Sequence, residues 1–271
     1  MMSDNIAILL ALNDEFILSM KTFLLSLVDT NPEFNYDILV LSDGNLSNDN
    51  VDTLKKIYKR ITVIEAKKHD YSCCLPTTQT WGFNLFYRFD VFDLKLAYDR
   101  IIIFDSDMIF LKNIQDLFAY NHDFAACEKY LGIPEIDGDA NKKRFNCGLM
   151  SISNKYFNVH IKKDLIDIAS GKNWSSDQPV FNKYFENLVH YLPQSYNVVS
   201  SIANENTLDA AHIIQYHGFK KPWHSDKKEE CFQDDIKQEM LKNNSSPISY
   251  IKTVNHLKKI FTDYQTKANS L

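Results

Sequence analysis

Two aspartates follow one short apolar run. Ile101-Ile102-Ile103-Phe104 leads directly into Asp105-Ser106-Asp107. Ligands of open α/β sheets collect at the carboxyl ends of strands, so a strand delivering carboxylates at i and i+2 marks a candidate site. Two carboxylates on one turn repel each other unless a cation lies between them. Mg²⁺ or Mn²⁺ carrying phosphate oxygens is an economical partner, because these ions take hard oxygen ligands.

The same three residues admit other readings. They fit a strand that ends in a solvated turn. They also fit the Asp-x-Asp of haloacid dehalogenase-type phosphatases, with Asp105 as nucleophile. The mid-chain position, and Met108 where Thr or Val would follow, count against the phosphatase.

Positioning such a site takes alternating strands and helices. Ile6–Leu12 is a continuous apolar run, as in a strand buried on both faces. Phe16–Val28 has helical spacing, Asp37–Ser42 reads as a strand, Asn48–Lys59 as a helix and Ile61–Glu65 as a strand. Phe83–Leu96 predicts a helix leading into the strand Arg100–Phe104. Further on, strands are expected at Phe124–Cys127, Asn146–Ile152, Leu188–Tyr191 and His212–Tyr216, with helices around Lys155–Ala169 and Asp177–Phe185. The alternation predicts an α/β fold with a mixed, mostly parallel central sheet and flanking helices. Ile133–Lys143 is polar and is expected to form a mobile surface loop. The division expected is one catalytic domain over residues 1–249 and an amphipathic helical tail over 250–271.

Composition narrows the function. With 271 residues the chain is long enough for a full core. Thirty basic and 35 acidic side chains give a net charge of −5, without the clustered basic surplus of a nucleic-acid binder. The longest apolar runs, Ile6–Leu12 and Ile101–Phe104, fall short of the roughly 20 residues of a membrane-spanning helix. The first residues lack a basic n-region, so no signal peptide is expected. The five cysteines form no Cys-x-x-Cys pair, which suits reduced thiols in a cytoplasmic protein. The seven glycines include no Gly-x-G-x-x-Gly or Walker loop.

Several short segments accompany the aspartates. Leu10-Ala11-Leu12-Asn13-Asp14-Glu15-Phe16 stands near the start, and Phe86-Tyr87-Arg88 precedes the Asp-x-Asp strand. Arg144-Phe145-Asn146-Cys147-Gly148-Leu149-Met150, Asp177-Gln178-Pro179-Val180-Phe181-Asn182, Leu192-Pro193 with Tyr196-Asn197, and Gly218-Phe219-Lys220-Lys221-Pro222-Trp223 follow in order. Taken together, from about residue 6 to about residue 224, they resemble the retaining glycosyltransferases of family 8, which include glycogenin and bacterial lipooligosaccharide galactosyltransferases.

That resemblance implies a GT-A fold, a UDP-sugar donor and a Mn²⁺ or Mg²⁺ ion. It assigns Ala11, Leu12, Asn13 and Phe16 to the donor, with Phe16 against uracil; a helix cap at Asn13 and a core Phe16 are the structural alternatives. It puts Asp105 and Asp107 on the metal, with Ser106 between them at the donor, and Arg88 on the donor. Asn146 contacts the donor sugar, and Gly148 permits close backbone approach. Asp177 and Gln178 lie beside the sugar as the catalytic pair, with Asp177 accepting from a sugar hydroxyl and Gln178 near the anomeric carbon. The alternative for Asp177 is a helix cap. Gly218 and Lys221 meet the diphosphate, where an ammonium group steadies the departing charge.

The chain also departs from the family. The usual pattern, His-x-x-Gly-x-x-Lys-Pro-Trp, has its histidine as a metal ligand. Here Gln215 stands three residues before Gly218, and a histidine occurs at 217 instead. Both are candidate ligands, because residues 215 and 217 face one side of an extended strand. Glu128 stands where relatives often carry an acceptor-facing aspartate.

The matched residue at the anomeric carbon, Gln178, is a poor nucleophile, so same-face attack is the expected mechanism and Asp177 the second choice of nucleophile. The expected reaction moves galactose or glucose from a UDP-sugar to a saccharide or glycolipid, in bacterial surface polysaccharide or lipooligosaccharide synthesis. A relative that binds nucleotide sugar without turnover is a further alternative. The C-terminal helix, with Lys252, Lys258, Lys259 and Lys267, either packs on the domain or lays its apolar face on a membrane.

Overall fold

A computed structural model describes residues 5–74, 83–94, 97–129, 143–171, 174, 176–200, 203–216 and 247–271. Strands β1 (Ile6–Ala11), β2 (Asp37–Ser42), β3 (Ile61–Glu65) and β4 (Arg100–Phe104) lie in one sheet with β6 (Phe124–Glu128), β7 (Phe145–Ser153) and β8 (His190–Leu192). The order is β3-β2-β1-β4-β7-β6-β8. The first four strands are parallel, β7 runs antiparallel to β4 and β6, and β8 runs parallel to β6.

The apolar runs read from the sequence sit at the centre of this sheet because both of their faces are covered. Ala7 and Leu9 of β1, with Ile101 and Ile103 of β4, enter a core shared with the 3-10 helix Phe83–Phe92 and helices α4 (Val159–Ser170) and α5 (Gln178–Phe185). Ile6, Ile8 and Leu10, with Ile102 and Phe104, face the other way. There they pack with α1 (Ile17–Thr30), α2 (Asn48–Ile57) and α3 (Gln115–Ala119). Period-two alternation explains the division, and each fully buried Leu, Ile or Phe contributes about 1.5–3 kcal/mol.

Phe83–Phe92 differs from expectation, since it winds as a 3-10 helix and ends earlier. Asp90, on that helix, is fully buried. It accepts from the Tyr71 hydroxyl (2.5 Å) and the Lys67 backbone N–H (2.8 Å), and pairs with Lys162 of α4 (2.7 Å). Lys162 also meets Asp70 (2.6 Å). This cluster ties the 3-10 helix to α4 and to the turn Lys68–Tyr71.

A second, small sheet was not legible in the sequence. It has the order β5-β10-β9, from β5 (Met108–Phe110), β9 (Val198–Val199) and β10 (Ile213–Gln215). β10 runs antiparallel to β5, with Gln215 opposite Met108. Next to this sheet, after α6 (Glu205–Ala210), lies helix α7 (Pro247–Asn269). Leu257 and Phe261 of α7 are buried with Tyr216 and Ile214, and the Tyr216 hydroxyl donates to the Leu257 carbonyl (2.8 Å). The described part of its apolar face therefore packs on the protein, the first of the two readings made for this helix. Lys267 pairs with Asp29 of α1 at 2.5 Å. No helix among the described residues is long and apolar enough to cross a membrane.

Candidate active site

The site lies where the strand order reverses direction, between β1 and β4, outside their carboxyl ends. Ala11, Leu12, Asn13, Phe16, Arg88, Asp105, Ser106, Asp107, Asn146, Gly148, Asp177, Gln178 and Gln215 all line one cleft of about 1080 Å³, counting its open mouth. Segments as far apart as Ala11 and Gln215 thus converge on it. His217, Gly218 and Lys221 lie outside the described residues, as does Ile133–Lys143 apart from Lys143.

The β1 end supplies one wall. Asn13 accepts from the Glu15 N–H (3.1 Å) and caps the 3-10 turn Asp14–Phe16. Phe16 is half-buried, packed on the core below the sheet while it also lines the cleft. The capping and core alternatives for Asn13 and Phe16 are therefore realised alongside their place in the cleft.

The Asp-Ser-Asp turn is held from three sides. The Asp105 N–H donates to the Gly148 carbonyl (2.8 Å), and the Tyr216 N–H donates to the Asp107 carbonyl (2.9 Å). The Ser19 hydroxyl of α1 donates to the Ser106 carbonyl.

Arg88 is buried, with its guanidinium shared among Asp105 Oδ1 (2.8 Å), the Cys147 carbonyl (2.8 Å) and Asp177 Oδ2 (2.5 Å). Burial works against its charge, but Asp177 and Asp105 more than offset this and hold its pKa above the ordinary arginine value. Burial also pushes the Asp177 carboxyl above the usual range, opposed by Arg88. Asp177 stands at the N-cap position of α5, where its side chain makes no capping hydrogen bond and its carboxylate pairs with Arg88.

Gln178 opens α5 and its Oε1 accepts from the Cys147 N–H (3.0 Å). Asn146 Oδ1 accepts twice, from the Gly148 N–H (2.7 Å) and from Asn197 Nδ2 (3.0 Å). With its oxygen so engaged, Asn146 has its NH₂ to offer a ligand. Asn182 brackets Phe145, accepting from its N–H (2.9 Å) and donating to its carbonyl (2.8 Å).

Gln215 completes the floor. Its Nε2 donates to Asp105 Oδ2 (2.7 Å) and lies 3.4 Å from Asp107 Oδ1. Its Oε1 is buried without a hydrogen-bond partner. Among the described residues no cluster of three His, Cys, Asp or Glu side chains can hold an ion. The third group beside the two aspartates is this carboxamide. Glu128, at the end of β6, pairs with Lys143 (3.0 Å).

Sequence reasoning missed Leu85, Phe104, Cys147 and Ser176 as lining residues. Phe104 and Cys147 belong to motifs already noticed; Leu85 and Ser176 carry no chemical signal of their own. The supporting roles of Asn182 and Asn197 were not read either, although both lie within quoted motifs.

The profile of Glycosyl transferase family 8 matches residues 7–227. The chain belongs to this family. Glycosyltransferase family 8 relatives include the lipopolysaccharide 1,2-glucosyltransferase of Escherichia coli (strain K12), 27% identical over 73% of this chain and 67% of that protein. Glycogenin of Neurospora crassa is 22% identical over 79% of this chain, but the match spans only 30% of that longer protein. Among solved structures, galactosyltransferase LgtC in complex with donor and acceptor sugar analogs superposes with a TM-score of 0.68 at 16% identity, over 91% of this chain and 99% of LgtC. The bifunctional glycosyltransferase WbbM gives 0.66 at 17% identity, over 93% of this chain and 51% of WbbM. The fold is thus the GT-A fold of these enzymes, and the chain is a glycosyltransferase. The phosphatase and binding-only alternatives are not supported.

Proposed function

We propose that this glycosyltransferase moves galactose or glucose from a UDP-sugar to a saccharide or glycolipid acceptor, with retention at the anomeric carbon, in bacterial surface polysaccharide or lipooligosaccharide synthesis. The observation that carries this reading is the convergence of Asn13, Asp105, Asp107, Asn146, Asp177, Gln178 and Gln215 on one cleft at the β1–β4 reversal. The E. coli relative acts, by its name, on lipopolysaccharide. A cytoplasmic location goes with the reading.

A divalent ion, Mn²⁺ or Mg²⁺, fits the residues present. Asp105, Asp107 and the partnerless Oε1 of Gln215 would hold it, and His217 is the further candidate. When bound it supplies charge neutralisation for a leaving diphosphate. The chain's own residues do the rest. Arg88 fixes Asp105 and Asp177 in one frame, so the carboxylates meet the donor without having to reorganise. Asn146 presents its NH₂ to the sugar, and Asp177 accepts from a sugar hydroxyl. Gln178 has its oxygen engaged by Cys147, which favours same-face attack over nucleophilic attack by its amide. The family resemblance assigns Lys221 and Gly218, which lie outside the described residues, to the phosphates.

The deciding experiment is slow hydrolysis of a panel of UDP-sugars with Mn²⁺, Mg²⁺ or EDTA and no acceptor. Ion-dependent release of UDP from one UDP-hexose is expected. Failure to bind UDP at all would overturn the reading.

A further inference from the structure

Gln215 stands where the family usually carries a histidine, and the residue is 2% exposed. The NH₂ group faces Asp105 Oδ2 at 2.7 Å and Asp107 Oδ1 at 3.4 Å, while Oε1 has no donor. A buried acceptor left without a donor is unfavourable. In the ion-free protein the reverse orientation is worse, because it would set the amide oxygen against two carboxylates. The balance inverts once a divalent cation lies beside those carboxylates, since Oε1 then becomes a hard ligand.

We propose that Gln215 is a carboxamide latch: its NH₂ closes over Asp105 and Asp107 in the ion-free site, and the amide turns over to present Oε1 when a divalent cation binds. The proposal rests on the donor-site reading above. Gly148 provides the bed for this movement, because a Cβ there would come within 2.5 Å of Oε1 and 2.7 Å of Nε2. The position normally held by imidazole then contributes oxygen. With Asp105, Asp107 and Gln215 all offering oxygen, the site favours Mg²⁺ and Mn²⁺ over Co²⁺ and Zn²⁺ more strongly than a histidine-bearing site does.

The test uses the ¹⁵N-labelled 271-residue chain saturated with UDP and titrated with Mg²⁺. The Gln215 side-chain NH₂ resonances are identified by their absence from the spectrum of Gln215→His, or of Gln215→Glu if the histidine variant does not fold. They are expected to shift with the same midpoint as Mg²⁺ binding measured by calorimetry. In competition experiments Gln215→His is expected to raise the preference for Co²⁺ or Zn²⁺ over Mg²⁺ by on the order of tenfold. Mg²⁺ binding that leaves the Gln215 amide unmoved overturns the latch and spares the donor-site reading. Absence of both UDP and Mg²⁺ binding overturns the donor-site reading and the latch with it.

Discussion

The carboxamide of Gln215 rests on the Cα of Gly148, so closely that a Cβ at residue 148 would lie 2.8 Å from its Cδ. The two residues come from different sheets, β10 and β7. Their contact sets the depth at which the amide meets Asp105 and Asp107.

Gly148→Ala therefore separates stability from activity. The atoms in the way are the far end of a side chain that can swing aside, so overpacking should cost only about 1 kcal/mol. The displaced amide can then neither bridge the aspartates nor present Oε1 to an ion beside them. Urea unfolding should show a small loss, while UDP-sugar turnover should fall by on the order of a hundredfold.

Arg88→Lys is expected to fail as a conservative change. A single ammonium cannot reach Asp105, Asp177 and the Cys147 carbonyl in one planar fork. Breaking a buried pair costs about 3–5 kcal/mol, and turnover should fall by more than the loss of folded protein explains. Denaturant melts and kcat measured on the same samples check this.

Lys162→Met tests the second buried cluster. The substitution leaves Asp90 fully buried, with Tyr71 and the Lys67 N–H but without its cation. The expected destabilisation is about 3–5 kcal/mol. The double variant Lys162→Met with Asp90→Asn should recover part of it, as a double-mutant cycle in urea would show.

The pH dependence of stability should have a histidine component. Burial, then the nearby charge of His122, holds His190 below its ordinary value of 6.5; burial, then Lys112, does the same for His212. The unfolded chain thus binds more protons than the fold as pH drops below 6.5. The stabilisation is fully present above that value and is lost as pH falls through it towards the lower folded pKa. The His122 and His190 rings stack at 3.4 Å. Tm should decline between about pH 7 and pH 5, and His190→Asn should flatten that decline.

Much of this architecture was legible because its signals are local. β1 and β4 announce themselves as uninterrupted apolar runs, and β2 and β3 match the expected spans residue for residue. The Asp-Ser-Asp turn is visible because a charge pair follows such a run directly. β5 and β9 were not, since strands of three and two residues show no period. The 3-10 winding of Phe83–Phe92 was missed because its apolar spacing resembles that of an α-helix, and the difference is made by tertiary anchors such as Asp90 and Lys162. Arg88 could be flagged as a cation near the donor. Its bond to the Cys147 carbonyl depends on a fold that brings residues 59 positions apart into contact.

The small sheet has a consequence for biosynthesis. Gln215 reaches Asp105 across 110 positions of sequence, and the pairing of β10 with β5 is what brings it there. As the chain leaves the ribosome, β1, β2 and β3 have all their strand partners once residue 104 is out, while β4 still lacks β7. The aspartates behind them must wait for another 110 residues to be made before Gln215 exists. A chain released early, anywhere before residue 215, can hold the paired strands β1 to β4 and both aspartates and still lack the Gln215 side of the cleft.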